Sequence, residues 1–204
     1  MNPNTWITNL INSSNYLFLK DIVYLGIAGG GLWVANQGLS TWKKQIKGHV
    51  EYDTARRLYR AVLKLRDAVG YVRNPAIFPS ESEEAQRKYF EESVGTTNAV
   101  YRMRWEKMVE ALSDLQAEQL EGEILWGKDV VEKIKPLRTC VTRLNLAVSD
   151  HLRPVDKRIR GHKEIFEIIY ELRTDKEIDD FSKEIDASID IIGDFLRNKY
   201  DFPS

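Results

Sequence analysis

From Ile22 to Trp42 the chain runs twenty-one positions, IVYLGIAGGGLWVANQGLSTW, without one charged side chain, and then meets Lys43, Lys44 and Lys47. At a rise of about 1.5 Å per residue a helix of this length reaches across the roughly 30 Å of bilayer hydrocarbon. The expectation is a single transmembrane helix over 22–42. Gly26, Gly29, Gly30, Gly31 and Gly38 weaken a helix in water and are better tolerated in lipid. Trp33, Trp42, Lys43, Lys44 and Lys47 are then the candidate lipid contacts, aromatic rings and cations being the residues of membrane interfaces.

The flanks set an orientation. Lys20 and Asp21 cancel before the run, whereas Lys43, Lys44, Lys47, Arg56, Arg57 and Arg60 crowd behind it. Cations collect on the cytoplasmic side, which places the amino terminus outside and the body in the cytoplasm. No basic stretch precedes the run and no A-x-A site follows it, so a cleaved signal peptide is not expected. Gly26 and Gly30 form a G-x-x-x-G, and Gly31 with Ala35 a second small pair, spacings that let two such helices pack closely as a homodimer. The GIAGGG string lacks both the G-x-G-x-x-G spacing and the Lys-Ser/Thr of a phosphate loop, which removes a nucleotide-binding reading.

Behind the run the apolar residues recur at alternating steps of three and four, the period of a packed helix. Ala55, Leu58, Val62, Leu65, Val69 and Val72 make the first seam, Gly48 is its weak point, and Asn74-Pro75 with Pro79 ends it. Ser80 and Glu83 read as a capping box for a second helix. Its seam, Tyr101, Trp105, Met108, Leu112 and Leu115, follows a break at Gly95-Thr96-Thr97 and closes between Gly122 and Gly127. A third seam joins Val130, Ile134, Leu137, Val141, Leu144 and Val148, with Pro136 bending it. Ile165, Ile168, Ile169 and Leu172 mark a short helix. Thr174 and Glu177 cap a last one through Ile178, Phe181, Ile185, Ile189, Ile192 and Leu196. The fold expected is all-α: a short segment 1–21, the transmembrane helix 22–42, and over 43–204 an elongated antiparallel bundle of four to five helices.

The 30 basic and 31 acidic residues of this 204-residue chain balance overall but not locally. Residues 43–73 carry a net +6, residues 74–123 a net −6, residues 124–163 a net +6 and residues 164–204 a net −7. Blocks of alternating sign attract their neighbours and repel wrong pairings. Arg56, Arg60 and Lys64 form a basic stripe and Asp186, Asp190 and Asp194 an acidic one, so the first and last bundle helices are expected side by side.

Reactive chemistry is sparse. His49, His151 and His162 have no partner at metal-ligand spacing, and lone Cys140 adjoins an apolar seam, which makes it a packing residue. No cofactor is expected. Arg153, Lys157, Arg158, Arg160 and Lys163 form the best basic patch. No aromatic residue within it could stack on a base, so anionic headgroups suit it better than nucleic acid.

Glu164-x-x-Glu167 followed by Glu177-x-x-Asp180 resembles the paired carboxylates of the all-α nucleoside triphosphate pyrophosphatases, the MazG-like family. That resemblance implies Mg²⁺ held against a nucleotide phosphate by Glu164, Glu167, Glu177 and Asp180. The helical phase argues otherwise, because Ile165, Ile168 and Ile169 mark the buried side and leave Glu164 and Glu167 opposite it. At Trp42–Pro75, Trp-Lys-Lys-Gln-x-x-Gly, Glu-Tyr-x-x-Ala-Arg and Lys-Leu-Arg-Asp-Ala are similar to a run found in bacterial membrane-anchored helical proteins just after one span. The likeness implies a bacterial inner membrane and brings no catalytic residue.

The function expected is a membrane-tethered, non-enzymatic helical scaffold or signalling module working through protein–protein contacts. The lipid bilayer, a second copy and a further protein are its expected partners. A Mg²⁺-dependent nucleotide phosphohydrolase is the alternative.

Overall fold

A computed structural model describes residues 14–89, 95–153, 162–171 and 178–199. Among them every regular element is helical: α1 (Ser14–Arg73), α2 (Pro79–Lys88), α3 (Thr96–Trp126), α4 (Lys128–His151), α5 (His162–Ile169) and α6 (Asp180–Lys199). The chain divides into two compact units, Met1–Val50 and Glu51–Ser204.

In the first unit, every described side chain from Phe18 to Val50 is exposed. The transmembrane helix expected over Ile22–Trp42 is not supported. Among the described residues no helix is long and apolar enough to cross a membrane. Length is not what fails, since α1 runs for 60 residues. The shortfall is in apolarity: five glycines contribute almost no side-chain surface, and Asn36 and Gln37 bring amides that a bilayer interior disfavours. An uncharged stretch is not thereby a greasy one, and the single-pass topology built on it is likewise not supported. Gly48 does not interrupt α1.

The second unit is a helical bundle around one core. Ala55, Leu58, Val62, Leu65, Val69 and Val72 are all buried, and so are Val130, Ile134, Leu137, Val141, Leu144 and Val148. Each set repeats at three and four residues, which stacks its members on one side of a helix. Tyr101, Met108 and Leu115 from α3, Ile165, Ile168 and Ile169 from α5, and Phe181, Ile185, Ile189, Ile192 and Leu196 from α6 complete the core. A satellite cluster of Ala85, Tyr89, Ala99, Val100 and Met103 seats α2 on the start of α3. Pro136 sits inside α4 without ending it.

Gly127 alone joins α3 to α4, at φ 68° and ψ −155°. That region of backbone space belongs essentially to glycine. One turn earlier, a Cβ added at Gly122 would stand 2.9 Å from the Trp126 ring, so the glycine there makes room for the indole.

Helix starts depart from expectation. Phe78 is the N-cap of α2 and Pro79 begins it, with no side-chain cap bond, so Ser80 and Glu83 form no capping box. Asp179 opens α6 instead: its Oδ1 accepts the Ser182 backbone N–H at 2.9 Å, the N-cap arrangement that satisfies an otherwise orphaned donor. Thr174, Glu177 and Leu172 lie outside the described residues.

Candidate functional site

Two buried guanidinium groups organise the polar interior. Arg73, the last residue of α1, is 1% exposed. Its Nε donates to the Ile168 carbonyl at 2.8 Å and its Nη2 to those of Tyr170 at 3.1 Å and Glu167 at 3.3 Å. It also reaches Ser182 Oγ at 2.7 Å and Asp179 Oδ1 at 2.8 Å. The last carbonyls of a helix have no partner of their own, so one arginine caps α5 and ties it to the start of α6. Burial by itself would raise the Asp179 carboxyl; the Ser182 N–H and hydroxyl and Arg73 outweigh it and hold it below the usual range.

Arg104 performs the same task at the other connector. Its fork grips Glu81 through Nε–Oε1 at 2.7 Å and Nη2–Oε2 at 2.8 Å, and donates to the Asn74 and Ala76 carbonyls. Tyr71 Oη donates to Glu81 Oε1 at 2.8 Å. Hydrogen bonding from Arg104 lowers the Glu81 carboxyl against the opposing effect of burial. Burial and the Glu81 carboxylate push the Tyr71 phenol up to about 12. A buried, hydrogen-bonded pair of this kind fixes connector geometry. Sequence reasoning missed both arginines.

The carboxylates of the phosphohydrolase reading converge in part. Glu164, Glu167 and Asp180 line a single open cavity of about 520 Å³, together with Asp179, Glu184 and Arg143. Glu177 lies outside the described residues. Cations already stand beside these groups: Lys183 meets Asp180 at 2.7 Å, Lys163 lies 3.8 Å from Glu167, Arg143 bonds Glu184, and Arg73 holds Asp179. Among the described residues no group of three or more His, Cys, Asp or Glu is arranged to hold a metal ion. Of the expected basic patch, Arg153 pairs with Asp150 at 3.6 Å and Lys163 with Glu167; Lys157, Arg158 and Arg160 lie outside the described residues. His151 stacks edge-on between the Tyr101 and Tyr170 rings, at 5.8 and 6.1 Å. Cys140 is buried, and burial raises its thiol.

The charge blocks meet largely as their signs demand. Arg57 of α1 bonds Glu118 of α3 at 3.0 Å, and Lys64 bonds Glu110 and Asp114 at 2.9 and 2.7 Å. Arg143 of α4 pairs with Glu184 of α6. Lys64 of the basic stripe thus faces α3, and Asp194 of the acidic stripe turns to Arg197 within α6 at 2.6 Å. The two helices are nonetheless neighbours, since Arg73 bonds Ser182 and the Tyr59 ring lies against Gly193.

The first part of α1 presents a series of large apolar side chains. Phe18, Leu25 and Ile27 are each about two-thirds exposed or more, and Trp33 and Trp42 are at least 60% exposed. Among the described residues, and apart from the helix's own backbone, no atom stands within 4 Å of the place a Cβ would take at Gly26, Gly29, Gly30, Gly31, Gly38 or Gly48. The expected packing role of Gly26, Gly30 and Gly31 therefore has no partner among those residues, and the Ala35 side chain lies outside them. Lys43, Lys44 and Lys47 follow on the same helix, exposed. Large apolar side chains left exposed along one helix in this number point to an interaction site.

Compared with known protein families, curated proteins and solved structures, the chain matches none.

Proposed function

We propose that this protein is a non-enzymatic helical scaffold or signalling module acting through protein–protein contacts, with the helix surface between Phe18 and Val50 as its contact element. One observation carries the reading: a continuous helix whose bundle segment buries its apolar seam exposes every described side chain over the preceding turns, Phe18, Ile22, Leu25, Ile27 and Trp33 among them. A helix that exposes this many large apolar side chains is stabilised by what covers them, and water is a poor cover. The resemblance at Trp42–Pro75 and the run Lys43, Lys44 and Lys47 favour a station at the bacterial inner membrane, by contact with its surface.

The test is a photo-cross-linking residue placed at Leu25 or Ile27 in cells, with Asp186 as the control position. Protein adducts at the two helix positions and not at Asp186 are expected. Adducts to lipid alone would overturn the reading.

A Mg²⁺-dependent phosphohydrolase is the second reading, favoured by the convergence of Glu164, Glu167 and Asp180 on one cavity. The cations already paired with Glu167, Asp180, Asp179 and Glu184 weigh against it, because a metal would have to displace them. Turnover of nucleoside triphosphates with Mg²⁺, lost in Glu167→Gln, would establish that reading over the scaffold.

A further inference from the structure

The exposed part of α1 hides a second periodicity beneath its glycines. Numbering heptads from Ile22 as position a, Phe18, Leu25, Leu32, Leu39 and Ile46 all fall at d. Ile22, Gly29, Asn36, Lys43 and Val50 fall at a. Leucine at d with one asparagine at a is the pattern of a two-stranded coiled coil, in which the polar residue fixes register and strand number. The described apolar members of this seam are between 47% exposed, at Ile46, and 72% exposed, at Leu25.

We infer that the cover of this seam is a second copy of the chain, lying parallel and in register over Phe18–Val50. This rests on the scaffold reading above and names its partner. Three arguments select that occupant. The first is area: a helix of 33 residues is about 50 Å long, and a contact strip about 10 Å wide covers about 500 Å² on each copy. The total, about 1,000 Å², is the threshold of a specific interface.

The second is Asn36. In a parallel, in-register pair it meets its own counterpart, and two amides satisfy each other's donor and acceptor. An antiparallel pair sets a against d, which would bury the amide against leucine with nothing to bond. The third is a cation–aromatic pairing at the flank. In parallel register, position g of one helix meets e of the next heptad on the other, placing Trp42 beside Lys47 of the second copy twice over, a cation on an aromatic face. No charged residue stands at e or g from Ile22 to Trp42, so nothing opposes the approach. Lys43 at a lies near the end of the seam, where a long stem can carry its ammonium out to water. Ile27 and Val34, at f, stay outside a two-stranded pair and are left for lipid or another protein.

The test is disulfide formation in the purified full-length chain, with Cys140→Ala removing the native thiol. Leu39→Cys and Ile46→Cys place a thiol at d; Gln37→Cys and Thr41→Cys place one at b and f. Mild oxidation should give at least tenfold more covalent dimer from the d variants than from the b and f variants. Asn36→Val should relax the register, so that in a mixture Leu39→Cys and Ile46→Cys chains link to one another as well as to themselves. Equal cross-linking at all four positions, or a wild-type chain that sediments as one copy at tens of micromolar, would overturn the pairing. So would an Ile46→Cys chain that links only to Ile22→Cys in a mixture of the two, the mark of an antiparallel pair. Photo-adducts to a different protein at Leu25, with no self-adduct, would remove the second copy while leaving the scaffold reading standing.

Discussion

Arg104 is nearly fully buried, yet each nitrogen of its fork donates to an oxygen, which makes removal of either partner costly. Replacing it by methionine keeps the bulk and leaves Glu81 buried without its cation, a change expected to cost about 3–5 kcal/mol. Urea unfolding followed by circular dichroism measures this. Glu81 and Asp179 both have folded-state carboxyls held below their ordinary values. For a depressed carboxylate the stabilisation is fully present above the unfolded value, about 4.3 for Glu and 3.9 for Asp. It disappears as pH falls through the folded value. Stability should therefore hold from neutrality to about pH 5 and then fall, with a shallower decline in Glu81→Gln and Asp179→Asn. Cys140, with its thiol raised by burial, should react slowly with a thiol reagent in the native chain and at an ordinary rate once unfolded.

These arginines also mark where sequence reading stops. Leu58, Ile134 and Ile192 announce themselves because burial along a helix repeats every three or four positions. Arg73 and Arg104 have no period. Nothing in a string of letters separates a cation that caps a distant helix from one that faces solvent. Ser80 and Glu83 fit a capping pattern, but Pro79 already supplies the first turn and Glu81 is the carboxylate the fold uses.

At the scale of elements, the alternating charge blocks foretold attraction between consecutive blocks, and Arg57–Glu118, Lys64–Glu110 and Arg143–Glu184 deliver it. They did not foretell which rows would meet, because a stripe at i, i+4 has two flanking helices to choose from, and Lys64 takes α3. An exposed pair such as Arg143–Glu184 contributes about 0–1 kcal/mol. Arg143→Glu should lower stability by more than that, through like-charge contact, and the exchange Arg143→Glu with Glu184→Arg should restore most of it. Thermal melts of the three proteins decide this. The segment Ile22–Trp42 misleads for a different reason: its lack of charge mimics affinity for lipid, while glycine and two amides keep its hydropathy too low. The phase of Glu164 and Glu167 was readable from the isoleucines beside them. Their meeting with Asp180 around one cavity depends on how α5 and α6 are brought together, which no local pattern encodes.

Across the whole molecule, the bundle and the exposed helix call for different evidence. The bundle's seams are closed, and its worth can be measured on the isolated chain. The surface from Phe18 to Val50 has meaning only with a partner, and the thiol pairing at Leu39 and Ile46 addresses it directly. A last consequence follows from the one-residue joint at Gly127. Two long rods hinged on a single residue have almost no slack to take up before their apolar edges touch, so α3 and α4 should zip together before the other pieces arrive. Gly127→Ala forces an alanine into backbone territory that disfavours it by about 1–3 kcal/mol. If the hairpin is the nucleus, that penalty should appear mainly as slower refolding in stopped-flow traces, with the rate of unfolding little changed.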